Sequence, residues 1–122
     1  MKNQTPLESW EQEQFFRWVI SNQIRIPELQ LANGSMNGIR VSPSLRARLK
    51  GQGLRPGVPD IDLPVRRGEC CGLRIEMKRK AGGTVSAEQK RFHELLRSQG
   101  YRVEVCRGWR EAVAVVRDYL GV

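Results

Sequence analysis

The chain reads as an α/β protein, helices packed around a small central β-sheet, and three observations predict it. An apolar stripe at helical spacing opens the chain. Two short apolar strands with charged residues at alternate positions occupy its middle. A helix, an alternating strand and a second helix close it. Taken in order, residues 7–22 place Trp10, Phe15, Phe16, Trp18 and Val19 along an amphipathic helix that Thr5 or Pro6 opens. Residues 24–32 are apolar and β-branched enough for an edge strand, although Pro27 interrupts them. Asn33-Gly34 and Asn37-Gly38 are turn signals. Ser42 suits the N-cap of a short basic helix over 43–52 that stops near Gly53. The central strands are expected at 59–65 and 72–79, with a turn within Gly68–Gly72, and Gly82-Gly83 then breaks the chain. A helix over 86–99 carries Phe92, Leu95 and Leu96 and stops at Gly100. Residues 101–106 alternate as a strand, and Gly108 precedes a last helix striped with Trp109, Ala112, Val113, Val116 and Leu120.

A chain of 122 residues with 39% hydrophobic content suits one domain with a single modest core. No stretch approaches the length of a membrane span, and the polar, acidic N-terminus is unlike a signal peptide. The net charge of +8, from 21 basic and 13 acidic residues, favours a polyanionic partner. Arg40, Arg46, Arg48, Lys50 and Arg55 run up to Pro59-Asp60. Arg66, Arg67, Arg74, Lys78, Arg79 and Lys80 surround the second central strand, so basic charge is densest there. Cys70, Cys71 and Cys106 are an odd set without metal-type spacing, which suits a reducing cytoplasm.

The chemistry concentrates in Val58-Pro59-Asp60 and Ile75-Glu76-Met77-Lys78. Side chains alternate along a strand, so Glu76 and Lys78 share a face and Met77 points the other way. A turn between the strands lays them side by side and brings Asp60 close to Glu76. Two carboxylates and a lysine then converge, which supplies hard oxygen ligands for magnesium and a cation beside an attacking water or a scissile phosphate. Glu76 has apolar neighbours, and a carboxylate in such a strand is costly unless paired or bound to a cation. Asp62 shares the face of Asp60 and reads as a surface or salt-bridging residue. Ser86-x-x-Gln89 is a capping box. In the first helix Glu11, Phe15 and Trp18 fall at i, i+4 and i+7, so Glu11 faces inward; Glu8 lies one turn earlier and Glu13 points away. His93, alone in mid-helix, reads as an ordinary surface or half-buried residue, and Trp109 as core.

Gly57-Val58-Pro59-Asp60, Leu73-Arg74-Ile75-Glu76-Met77-Lys78, Ser86-Ala87-Glu88-Gln89 and Gly100-Tyr101-Arg102-Val103 together resemble the VRR-NUC nucleases of the PD-(D/E)xK superfamily. The resemblance implies a restriction-endonuclease-like fold, a small mixed sheet flanked by helices, with residues 1–122 as a single stand-alone VRR-NUC domain. It implies Mg²⁺- or Mn²⁺-dependent hydrolysis of phosphodiesters in branched DNA such as Holliday junctions or flaps, by a cytoplasmic homodimer without membrane attachment. On this basis Asp60 and Glu76 bind the metal, and Lys78 activates water or neutralises the phosphate. Glu11, with Glu8 second, supplies a further metal-binding carboxylate, and Gln89 either enters the site or only caps its helix. Arg40, Arg46, Arg48 and Lys50 are the expected DNA-backbone contacts. The alternative is a non-catalytic nucleic-acid-binding module of the same fold. Retention of Asp60, Glu76 and Lys78 together argues against it, since binding alone needs no carboxylates.

Overall fold

A four-stranded sheet organises the chain, seen in a computed structural model that describes residues 5–37 and 39–122. Its strands β1 (Asn33–Gly34), β2 (Ile61–Leu63), β3 (Leu73–Lys78) and β4 (Arg102–Arg107) lie in that spatial order. β1 and β2 are antiparallel, as are β2 and β3, while β3 and β4 run parallel, so the sheet is mixed as expected. A tight turn closed by paired backbone bonds between Arg67 and Cys70 folds β2 onto β3. The parallel return from β3 to β4 passes through helix α3 (Ala87–Ser98), because parallel neighbours need a crossover.

The two faces of β3 have opposite fates. Leu73, Ile75 and Met77 close a single core with Phe15 and Val19 of α1 (Glu8–Asn22) and with Ala112, Val116, Tyr119 and Leu120 of α4 (Trp109–Leu120). Phe15 is fully buried there, and its truncation to Ala costs about 3–5 kcal/mol on the usual scale of such changes. The other face carries Glu76 and Lys78 beneath α3. Apolar burial on one side therefore holds a charged face in place on the other.

Local chemistry explains the departures from expectation. Residues 24–32 do not form a strand: Pro27–Leu31 is a 3₁₀ helix with Pro27 in its first turn, where a missing N–H and a fixed φ cost nothing. The buried residues of the stretch, the preceding Ile26 and Leu29 within the helix, are three apart, the spacing of a 3₁₀ turn rather than of alternating strand positions, and Ile24 is 85% exposed. Asn33-Gly34 is not a turn but β1, paired with Asp62 and Ile61. Gly38 of the expected Asn37-Gly38 turn lies outside the described residues. Leu95 stands largely in solvent, and Trp10 is 44% exposed, instead of packing in their helices' apolar stripes.

Helix α2 (Pro43–Gly51) forms as expected, with the Ser42 hydroxyl accepting from the Leu45 amide at 3.2 Å, yet none of its residues is buried. Gly57 has a φ of +91°, and a Cβ placed there would lie 2.8 Å from the Glu88 carbonyl oxygen. Only glycine lets the chain leading to Asp60 press this closely on the first turn of α3.

Candidate active site

Asp60 stands at the mouth of β2 and is fixed twice. Its carbonyl accepts from the Ser35 amide at 2.8 Å, and its Oδ2 accepts from the Met77 amide at 2.7 Å. The second bond spans from β2 to β3 and sets the Asp60 carboxylate beside that of Glu76. Strand alternation puts Lys78 on the same face, and both Glu76 and Lys78 are buried, at 2% and 6% exposure. The three residues expected to converge are brought together. Asp62 is elsewhere engaged, opposite Arg74 in the register and ion-paired with it at 2.8 Å.

Gln89 joins the cluster without giving up its cap. The Ser86 hydroxyl accepts from the Gln89 amide at 3.1 Å, and Gln89 Oε1 accepts from the Ser86 amide at 2.9 Å. The same Oε1 accepts from Lys78 Nζ at 3.1 Å, while Nε2 donates to Glu76 Oε2 at 3.2 Å. The expected choice between cap and site does not arise, because an amide oxygen has two lone pairs and the amide nitrogen faces the other way. One side chain thus ties the start of α3 to both charged residues of β3.

His93 is the site residue that sequence reasoning missed. It is 3% exposed, the one buried residue of α3, and its Nε2 lies 3.2 Å from Glu76 Oε1. Gln89 and His93, four apart on one helix face, thus hold the two oxygens of Glu76. The signal was that spacing from Gln89, since a helix face that meets the site at one turn meets it again at the next. Burial, then the nearby charges of Arg97 and Lys78, lowers the His93 pKa and favours the neutral ring.

Glu11 has a partner of its own. Glu11 is fully buried as expected, but its Oε1 accepts from the Trp109 amide at 2.9 Å, and so it caps the N-terminus of α4 rather than joining Asp60 and Glu76. Glu8 and Glu13 are the carboxylates of α1 that line a cleft together with Asp60, and the Glu8 charge adds to those that raise Glu76.

The basic residues divide by use. Arg67 pairs with Glu28 at 2.6 Å, Arg79 donates to the Thr5 carbonyl, and Arg107 donates to the carbonyls of Arg79, Gly82 and Gly83. Much of the charge around β3 is thereby spent on holding the chain. Arg46, which also donates to the Ile39 carbonyl at 3.1 Å, and Lys50, both from α2, line a cleft of ≈ 280 Å³ with Gly57, Ser86, Glu88 and Gln89. Arg40 and Arg48 are exposed to solvent.

The donor set suits a hard divalent cation. Burial, followed by the adjacent Asp60 carboxylate, pushes the Glu76 pKa up to about 9. Two carboxylates forced together in a dry site are the arrangement that a divalent ion relieves, because it removes both the repulsion and the desolvation cost. Among the described residues no three His, Cys, Asp or Glu side chains form a full ligand cage. Two protein carboxylates leave further positions to water, which is how magnesium prefers to bind.

This fold and this cluster define a nuclease-like domain. The chain belongs to the VRR-NUC domain family, whose model matches residues 3–110. Among solved structures it is similar to a VRR_NUC domain protein, with 25% identity and a TM-score of 0.79 over 97% of this chain and 91% of that one. No curated protein matches it. Among the described residues no helix is long and apolar enough to cross a membrane.

Proposed function

We propose that the protein is a metal-dependent, structure-selective DNA endonuclease that hydrolyses phosphodiesters in branched DNA such as junctions or flaps. One observation carries the reading: Glu76, Lys78 and Gln89 form a hydrogen-bonded cluster on the polar face of β3, and Asp60, fixed by the Met77 amide, stands beside Glu76. Asp60 and Glu76 would hold Mg²⁺ or Mn²⁺, and Glu8 stands near enough to the cleft to assist in place of Glu11. When bound, such a cation polarises a phosphoryl oxygen and lowers the pKa of water.

The chain's own residues do the rest. Gln89 and His93 hold the two Glu76 oxygens in one orientation, the kind of outer support that ligating carboxylates need. Lys78, steadied by Gln89 Oε1, brings its ammonium group to the charge that develops on the phosphate or to the attacking water. Arg46 and Lys50 bind the backbone beside the cluster, with Arg40 and Arg48 extending the basic surface. A homodimer with two-fold symmetry would present two related sites to a symmetric junction.

The test is cleavage of end-labelled four-way junction, 5′-flap and linear duplex with Mg²⁺, Mn²⁺ or EDTA. The wild type runs beside Asp60→Ala and Lys78→Ala, with DNA binding measured separately. Metal-dependent cutting lost in both variants, with binding kept, is the expected result. Binding without cutting in either metal would overturn the enzyme reading in favour of a non-catalytic module.

A further inference from the structure

We propose that the cleft beside Asp60 receives an unpaired nucleobase of the strand being cut, one with an exocyclic amino group. The proposal rests on the nuclease reading and adds to it what the substrate must offer: an unpaired nucleotide next to the scissile phosphate. The cleft measures ≈ 360 Å³, within the about 300–1,000 Å³ usual for small-ligand sites. Phe16 of α1 forms one wall, and Met36 and Ile39, from the segment after β1, form another. Met36 and Ile39 are 58% and 42% exposed, apolar surface that a flat heterocycle would cover.

Charge selects the occupant. The charged residues lining this cleft are Glu8, Glu13 and Asp60, with no lysine or arginine among its walls. Beyond the scissile phosphate that the cation would hold at Asp60, a phosphate finds no positive side chain there and goes instead to the Arg46 and Lys50 cleft on the Gln89 side. A neutral base with amino hydrogens suits acidic walls, because a carboxylate only accepts hydrogen bonds. Asp60 borders the cleft and Glu76 touches Gln89, which borders the basic one, so a strand crossing the cluster meets both. A base paired in a duplex cannot leave its stack without cost, whereas an unpaired one enters freely.

The test walks an abasic site through the unpaired nucleotides beside the cut of a flap substrate. Wild type, Phe16→Leu and the exposed Met36→Ser are compared in Mg²⁺. One abasic position should slow the wild type about tenfold, near the low end of what one base stacked on an aromatic ring contributes. Both variants should slow the intact substrate about tenfold and the abasic substrate no further. A flat abasic scan, or variants that slow both substrates alike, would overturn the base pocket while leaving the nuclease reading intact. If the wild type cuts nothing, the nuclease reading fails, and the pocket is judged by binding of 2-aminopurine-labelled single strands in EDTA. An emission change lost in both variants supports the pocket; no change on binding wild type sinks it.

Discussion

Replacement of Glu11 by Ala separates a structural carboxylate from a metal-binding one. In the folded chain Glu11 is fully buried and accepts from the Trp109 amide at 2.9 Å, so its removal leaves a buried donor unpaired at the start of α4. An orphaned buried donor costs about 1–3 kcal/mol. The lost negative charge at a helix N-terminus adds about 0.3–1 kcal/mol. Against this, the wild-type Oε2 is itself buried without a partner among the described residues, so its removal returns part of the cost. A net loss of about 2 kcal/mol results, or roughly 8 °C in Tm for a domain of this size. The assay pairs thermal unfolding in EDTA with cleavage rate against Mg²⁺ concentration, for Glu11→Ala and Glu8→Ala. Glu11→Ala should melt early yet saturate at the wild-type Mg²⁺ concentration. Glu8→Ala should melt normally and need about tenfold more Mg²⁺. A Glu11→Ala protein that melts with the wild type but demands far more Mg²⁺ would refute the assignment.

Four further outcomes are expected. Gln89→Ala should cost about 1 kcal/mol through the capping box and most of the cleavage rate, whereas Ser86→Ala should cost similar stability and spare the rate; equal losses of activity would contradict this. Gly57→Ala should destabilise strongly in thermal melts, because the new Cβ meets the Glu88 carbonyl oxygen at 2.8 Å in a left-handed backbone. In EDTA, Glu76 is held up to about 9 from its ordinary 4.5, so the folded chain keeps a proton that the unfolded chain has released. Stability should therefore fall as pH rises through that window, and Tm should drop from about pH 7 to about pH 9 in wild type but not in Glu76→Gln; a Tm that rises would contradict it. Burial pushes the Cys106 thiol up to about 12 while Cys71 is exposed, so a thiol reagent at mildly alkaline pH should label Cys71 and leave native Cys106 untouched, as peptide mapping would show.

What was legible in the sequence was what is local. Alternation along one strand is enough to pair Glu76 with Lys78, and Ser86 and Gln89 lie within one helical turn. The punctuation of Gly100, Gly108 and the capping serines Ser42 and Ser86 likewise marks element ends by short-range chemistry. Tertiary partners were harder. Glu11 was read correctly as inward-facing, but its burial serves an amide 98 residues away, and no spacing within α1 distinguishes that from a metal site. His93 looked ordinary because its partner Glu76 reaches it only once β3 lies beneath α3. The stretch around Pro27 was misread because apolar, β-branched composition says that residues will be buried somewhere, not that they alternate. The Asp60 constellation was read before its fold because a strand mouth and a neighbouring strand fix their own geometry.

Helix α2 holds its shape by a serine cap and a basic surface, and none of its side chains enters the core. A protein engineer gains a separable handle from this. Its outward positions, Arg48 and Lys50 among them, tolerate wholesale exchange at little thermodynamic risk, so a library randomised there would vary the proposed grip on DNA while the proposed cutting residues stay as they are. Substrate preference on this scaffold is then open to selection on one short segment, by the same logic that lets loops diversify over a rigid frame.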